Sequence, residues 1–248
     1  MIPKKIHYCW LSNDPLPELA KKCLASWKEK LPDYEIVLWD LNKFDINSIP
    51  WTKESFESKK YAFAADYIRL YALYKEGGIY LDSDVEVIKS FNNFLNCESF
   101  MGFETSGDIE AAIIGSQKGA HWLEECLKYY KERHFINPNN NSFDTKPLPI
   151  ILEEYFKKNT LINNIDKNKI NIINNVIFYP AEYFSPKNFH TKEIYLTQNT
   201  VSIHLFDGSW LYKKSIYKLK NTIHNLIINL LGKNIHRKII NFIRFFRK

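Results

Sequence analysis

The feature that most constrains this chain is a two-glycine turn followed by a short apolar strand and an acidic triplet. Before the turn, apolar or aromatic residues recur at positions 63, 67, 70/71 and 74, the spacing of one face of a helix. Gly77 and Gly78 then supply the positive φ angle that ends a helix. Residues 79–81 are apolar throughout, which is typical of a strand covered on both faces of an α/β sheet.

The acidic triplet Asp82-Ser83-Asp84 ends this strand. Because side chains alternate along a strand, we expect both carboxylates on the same side, with Ser83 between them. Hard divalent cations such as Mg²⁺ and Mn²⁺ prefer carboxylate and water oxygens and often share their shell with substrate phosphates. Ligands of open α/β sheets bind beyond the carboxyl ends of the strands. The triplet therefore predicts a metal site that holds a diphosphate.

An acid and a base stand on the preceding helix. Asp66 and Arg69 are three residues apart, so they share one helix face. Arg69 can bind a phosphate or a carboxylate, and Asp66 can accept hydrogen bonds from sugar or ribose hydroxyls. An isolated Asp-x-Asp is a weak motif, and an isolated acid–base pair is commonly a surface ion pair. The ordered combination is more specific and predicts a site for a nucleotide-activated sugar.

Two runs, 65–71 (ADYIRLY) and 77–84 (GGIYLDSD), resemble the sugar-binding DXD glycosyltransferases. These include bacterial capsule and O-antigen enzymes, the yeast initiating α-1,6-mannosyltransferase and the catalytic domains of clostridial glucosylating toxins. Three further blocks agree in order: 2–10 (IPKKIHYCW), 103–115 (FETSGDIEAAIIG) and 204–210 (HLFDGSW). The resemblance implies a GT-A fold over residues 1–210, which is a single Rossmann-like α/β domain with a central mixed sheet. It also implies Mn²⁺ or Mg²⁺ as cofactor and retention of anomeric configuration.

The resemblance further implies a role for each site residue. The catalytic residues would be Asp66, Arg69, Asp82 and Asp84. The donor-binding residues would be Trp10, Asp66, Arg69, Tyr80, Ser83, Ser209 and Trp210. The metal ligands would be Asp82, Asp84 and His204, with Asp207 competing for the place of His204. Glu104 and Glu110 would lie on the acceptor side, where related enzymes often carry Asn and this chain reads Glu110-Ala111-Ala112.

Charge is unevenly distributed along the chain. The net charge is +6, but ten of the 34 Lys and Arg residues and no Asp or Glu lie beyond residue 210. Residues 1–210 therefore carry a net charge of −4. Apolar positions recur at helical spacing in 213–248, which predicts one or two basic amphipathic helices in a 211–248 tail that lies on an anionic membrane. The alternative is a helical pair packed on the domain. No nucleic-acid-binding motif accompanies the charge.

Together these features predict a glycosyltransferase that moves a hexose or N-acetylhexosamine from a nucleotide sugar. The favoured donor is a UDP-sugar. The expected acceptor is a glycan, in particular a lipid-linked oligosaccharide of a bacterial surface polysaccharide, and the expected location is the cytoplasmic face of the cell membrane. Two alternatives remain, a toxin-like protein glycosyltransferase and a non-catalytic membrane-binding protein. A dehalogenase-type phosphatase is disfavoured, because Glu86 stands where it would need Thr or Val.

Local patterns also predict individual elements. We expect helices at 18–30, 119–134 and 150–158, strands at 35–39, 85–88 and 99–103, and a loop at 137–149. The four cysteines have no CxxC spacing, which favours buried, reduced thiols over a zinc site or disulfides.

Overall fold

A computed structural model describes residues 1–159 and 165–208. The predicted donor-site residues Ser209 and Trp210 and the predicted tail 211–248 lie outside the described residues. The described part contains, in chain order, β1 (Lys5–Cys9), α1 (Glu18–Lys30), β2 (Glu35–Trp39), α2 (Pro50–Glu57), α3 (Tyr61–Glu76), β3 (Gly78–Leu81), β4 (Val85–Val87), β5 (Ser99–Phe103), β6 (Ile109–Ser116), α4 (His121–Tyr130), α5 (Leu148–Asn159), β7 (Asn171–Ile173), β8 (Val176–Tyr179), α6 (Ala181–Phe184) and β9 (Ser202–His204).

Seven of these strands form one mixed sheet in the order β2-β1-β3-β6-β5-β8-β7. β1 runs parallel to both of its neighbours, β2 and β3, whereas β6 runs antiparallel to β3 and β5. Strands β4 and β9 pair separately as a small antiparallel sheet. The predicted α/β fold with a mixed central sheet is confirmed.

The core lies on both faces of the large sheet. One apolar cluster joins the sheet to α3, α4 and α5 and includes Trp51 and Trp122. Another joins it to α1 and α6 and includes Trp27 and Phe184. Burial on both faces explains why β3 and β6 are buried along their whole length, since helices cover the two sides of such sheets.

Several predicted elements have the expected bounds, namely α1, β2 and β5. The predicted helix 119–134 is shorter and spans His121–Tyr130, and the loop expected to run to 149 ends where α5 begins at Leu148. Pro149 fits there because the first turn of a helix leaves its N–H groups unpaired anyway. No strand was expected within 103–115, yet β6 occupies the centre of the sheet. Its burial on both faces leaves no alternation of apolar and polar residues to detect.

All four cysteines are free thiols; Cys23 and Cys126 are buried, and Cys9 and Cys97 are partly buried. Within residues 1–159 and 165–208, no helix combines the length and the apolar character needed to cross a bilayer.

Candidate active site

The candidate site lies at the edge of the sheet where β1 and β3 end side by side. These parallel strands pair through Ile6 with Ile79 and His7 with Tyr80, so their carboxyl ends reach the same edge. β3 ends at Leu81, and the acidic triplet that follows forms a tight turn in which the Val85 N–H donates to the Asp82 carbonyl at 3.0 Å. The two carboxylates do lie close together, as predicted. The predicted reason is wrong, because Asp82 and Asp84 lie in a turn and not in a strand with alternating side chains.

Asp82, Asp84 and His204 form a cluster that can hold a metal ion, called here the ligand cluster. Each offers one ligand atom, and these atoms lie within 4.8 Å of one another. His204 reaches the cluster through the small sheet, in which it pairs with Val85, the residue after Asp84. Its Nε2 lies 3.5 Å from Asp84 Oδ1. Two carboxylates and one imidazole are a donor set that fits a divalent cation.

Asp207, the alternative to His204, contacts the cluster through its backbone. Its N–H donates to Asp84 Oδ2 at 2.8 Å, and the residue is exposed. This bond holds one oxygen of Asp84 while the other faces His204. Among the described residues, the group that could hold a metal ion contains His204 and not Asp207.

Arg69 joins the helix to the triplet. Its Nη2 lies 2.9 Å from Asp82 Oδ1 and 3.4 Å from Asp66 Oδ1, and Nη1 donates to the Ala111 carbonyl. The guanidinium carbon lies 4.6 Å from the centre of the Tyr80 ring, and the residue is 5% exposed. One buried cation thus fixes carboxylates from two elements.

Burial also changes the acidity of these carboxyls. It raises the pKa of Asp66 to about 7 and that of Asp82 to about 6, while the Arg69 charge acts in the opposite direction. Burial acts to raise the pKa of Asp84 as well, but the hydrogen bond and charge of His204 outweigh it and hold that pKa below its usual value. The site therefore contains carboxyls of different acidity within a few ångströms, a common property of functional sites.

The central strand β6, which contains a β-bulge, supplies backbone contacts of the site. Pairing between β5 and β6 shifts between Met101 and Gly102, so that Gly102 opposes Glu110 and Met101 opposes Ile114. Within the bypassed stretch, the Ala111 carbonyl accepts from Arg69. The Ala112 carbonyl accepts from the Asp82 N–H at 2.9 Å, which continues the pairing of β3 with β6 beyond Leu81 and Ile113. Bulges commonly aim groups at active sites in this way.

Glu110 contacts His204 from within the protein. Its Oε2 lies 3.0 Å from His204 Nδ1, and its Oε1 accepts from the Ala112 N–H at 2.7 Å. Burial acts to lower the pKa of His204, but the charges of Glu110 and Asp84 outweigh it and raise that pKa well above its usual value. Glu104 is partly exposed, and burial together with the charge of Glu110 raises its pKa to about 8.

The remaining predicted donor-site residues differ in accessibility. Trp10 is partly exposed just beyond β1, and its Nε1 donates to the Asp14 carbonyl at 2.9 Å. Ser83 is also partly exposed. Tyr80 is 1% exposed, so in this structure its ring supports Arg69 instead of facing an open pocket.

Sequence reasoning missed two contributors to the site. Lys187 Nζ donates to the carbonyl of Leu205, next to His204, at 2.6 Å, and no motif marks it. The carbonyls of the bulge escape detection because backbone groups leave no trace in the sequence. One feature of the sequence could have indicated that Glu110 has a buried partner. It is the single acid in the apolar run IEAAII, and a buried charge needs a partner.

Comparisons with known proteins agree with this geometry. Residues 17–101 match the family model described as the glycosyltransferase sugar-binding region containing DXD motif. Inositol phosphoceramide mannosyltransferase 3 of Schizosaccharomyces pombe is 32% identical over 131 residues, which are 51% of this chain and 36% of that protein. Mannosyl phosphorylinositol ceramide synthase CSH1 of Saccharomyces cerevisiae is 26% identical over 221 residues, 85% of this chain and 55% of that protein. The chain thus spans about a third to a half of the length of these two relatives.

Among solved structures, a glycosyltransferase involved in the glycosylation of the major capsid of PBCV-1 superposes with a TM-score of 0.49 and 14% identity. That match covers 82% of this chain and 93% of the other. The matched family region contains Asp66, Arg69, Asp82 and Asp84. Residues 17–101 of this chain are therefore similar to the DXD-containing sugar-binding region of glycosyltransferases, the similarity that the sequence resemblance implied.

Proposed function

We propose that this protein is a divalent-metal-dependent glycosyltransferase that moves a hexose or N-acetylhexosamine from a nucleotide sugar to a glycan acceptor. The observation that carries the proposal is the ligand cluster beside the buried Arg69, at the edge where β1 and β3 end. A metal there, with Mn²⁺ favoured because one ligand is an imidazole, would bind the diphosphate and stabilise the charge of the leaving group.

The protein's own groups have distinct tasks in this proposal. Asp82 and Asp84 present carboxylate oxygens, and Arg69 keeps Asp82 in place at 2.9 Å. Asp66, on the same helix face, is available to accept hydrogen bonds from hydroxyls of the donor. Trp10, partly exposed beyond the end of β1, is the candidate for stacking on the nucleotide base.

Transfer with retention fits a front-face attack. The acceptor oxygen forms a bond to the anomeric carbon on the side from which the diphosphate oxygen leaves, and the acceptor proton passes to that oxygen. The released nucleoside diphosphate then carries the proton and the electron pair of the broken bond. This step needs no protein nucleophile, and a product with inverted configuration would contradict it.

The acceptor and location are also proposals. The two fungal relatives carry names that refer to mannosyl transfer to inositol phosphoceramide, so GDP-mannose joins the UDP-sugars among the candidate donors and a lipid-attached acceptor is favoured. We place the protein on the cytoplasmic face of the membrane, held by the basic residues of 213–248. Salt-sensitive sedimentation with anionic vesicles, compared between the full chain and a truncation at residue 210, tests this placement.

The test of function is nucleotide release from a panel of UDP- and GDP-sugars, with Mn²⁺ and with glycolipid acceptors. We expect one donor to be turned over and NMR of the product to show the donor's anomeric configuration. Transfer to a protein instead of a glycolipid would favour the toxin-like alternative. Failure with every donor and acceptor would favour the non-catalytic, membrane-binding alternative.

A further inference from the structure

Glu110 is fully engaged inside the protein. It lies on the central strand β6 and is 1% exposed. One carboxylate oxygen accepts from the Ala112 N–H at 2.7 Å, and the other lies 3.0 Å from His204 Nδ1. Both oxygens therefore have partners within the protein, and the residue has almost no surface exposed to solvent. The acceptor-side role expected for Glu110 from the sequence does not fit this placement.

His204 presents its two ring nitrogens to different neighbours. Nδ1 contacts Glu110, whereas Nε2 lies 3.5 Å from Asp84 Oδ1 in the ligand cluster. The ring centre lies 4.0 Å from that of Phe206, which restricts rotation of the imidazole. A histidine that binds a metal through one nitrogen commonly donates its other N–H to a carboxylate, which fixes the tautomer and the ring orientation.

We propose that Glu110 is a positioning residue for His204, accepting a hydrogen bond from Nδ1 so that Nε2 is the nitrogen directed at the metal. This inference rests on the proposed metal-dependent transfer. The Ala112 N–H, in the stretch of β6 that the register shift bypasses, donates to the second oxygen of Glu110 and so fixes the carboxylate itself. A chain of contacts thus runs from the central sheet to the ligand cluster.

Calorimetric titration of Mn²⁺ in the presence of UDP, and in parallel of GDP, tests this role without measuring turnover. Glu110→Leu removes the acceptor, and we expect the Mn²⁺ affinity to fall roughly 10- to 100-fold, as for other groups that orient metal ligands. Glu110→Gln keeps an acceptor oxygen and should bind Mn²⁺ with an affinity between those of the wild-type protein and Glu110→Leu. Glu76→Gln, which alters a carboxylate bound to Lys5 and Lys43 away from the site, should leave the affinity unchanged.

A second measurement does not depend on the folding of the leucine variant. Long-range ¹H–¹⁵N NMR of the wild-type protein, loaded with diamagnetic Cd²⁺ and UDP, identifies which nitrogen of His204 carries the proton. We expect the proton on Nδ1 and the metal on Nε2. The reverse assignment would overturn the proposal.

The outcomes separate this inference from the proposed function. If the wild-type protein binds Mn²⁺ and turns over donor while folded Glu110→Leu binds Mn²⁺ equally well, the positioning role alone is refuted. If the wild-type protein binds no divalent cation with either UDP or GDP, both the metal-dependent function and the positioning role are refuted.

Discussion

Arg69 Nη2 lies 2.9 Å from Asp82 Oδ1, and this ion pair joins helix α3 to the turn after β3. The Arg69 side chain is only 6% exposed and the Asp66 side chain, 3.4 Å from the same nitrogen, is 15% exposed. Removing one partner of such a buried ion pair destabilises the fold, because the other charge is left buried without a partner. The arginine is therefore as much a part of the fold as of the proposed donor site.

Removing this cation should destabilise the protein strongly. At pH 8, above the pKa values of about 7 for Asp66 and about 6 for Asp82, both carboxyls are ionised beside Arg69. Without that charge their pKa values rise, so Arg69→Met leaves two buried carboxyls that must either stay ionised without a partner or take up protons. We expect the free energy of unfolding in urea to fall by about 3–5 kcal/mol. Arg69→Lys should recover little of it, because a single ammonium cannot reproduce the fork that reaches Asp82 and the Ala111 carbonyl together.

Lys22→Met is the matched control for that measurement. Lys22 pairs with Glu86 at 3.1 Å, but its side chain is 65% exposed, so its loss should cost less than about 1 kcal/mol. Equal stability of the Arg69→Met and Lys22→Met variants would show that the buried pair does not support the fold.

The glycine turn before the acidic triplet gives a second prediction. Gly78 has φ +117°, and a Cβ added there would lie 2.8 Å from the Lys5 carbonyl oxygen of the neighbouring strand. Gly119 also has a positive φ, +75°, but a Cβ there would meet nothing within 4 Å. Gly119→Ala should therefore cost only the backbone strain of about 1 kcal/mol, and Gly78→Ala should cost clearly more.

Thermal unfolding of the two alanine variants measures this difference. We expect the lower midpoint for Gly78→Ala, together with weaker Mn²⁺ binding, because β3 leads directly into the ligand cluster. Equal midpoints would mean that the close approach of β3 to β1 is not needed for stability.

Glu76 gives a pH-dependent prediction away from the site. Burial acts to raise the pKa of Glu76, but hydrogen bonds from Lys43 and Lys5 outweigh it and lower that pKa from 4.5 to about 2. A carboxyl with a lowered pKa in the folded state stabilises the protein above pH 4.5, and this stabilisation is lost as the pH falls toward 2. Because all three side chains are partly exposed, with accessibilities of 24–35%, the contribution is about 1 kcal/mol.

Urea unfolding of the wild-type protein and Glu76→Gln at pH 6 and pH 3.5 tests this linkage. The stability difference between them should be largest at pH 6 and should shrink at pH 3.5. A difference that is constant, or that grows toward acid pH, would contradict the assignment of these ion pairs.

The sequence predicted the parts of the site that depend on side-chain type and spacing. Helix α3 with Asp66 and Arg69, the turn at Gly77-Gly78 and the strand before Asp82 follow from periodicity and glycine chemistry. The β-bulge of β6 was not predictable, because its register depends on long-range pairing with β5 and its contribution consists of backbone groups. The contact of Glu110 with His204 was not predictable for the same reason, since local spacing does not show which buried partner lies opposite a strand residue.

The most direct test of the central claim is the Mn²⁺ dependence of donor cleavage by the wild-type protein and by Asp84→Asn. Asp33→Asn, which alters a surface carboxylate that pairs with Lys4, is the control. We expect the wild-type and Asp33→Asn proteins to release nucleoside diphosphate only when Mn²⁺ or Mg²⁺ is added. The rate of Asp84→Asn should be at least roughly 100-fold lower, the effect expected when a charge-stabilising group is removed. Turnover by Asp84→Asn at the wild-type rate, or wild-type turnover that persists in EDTA, would contradict the account.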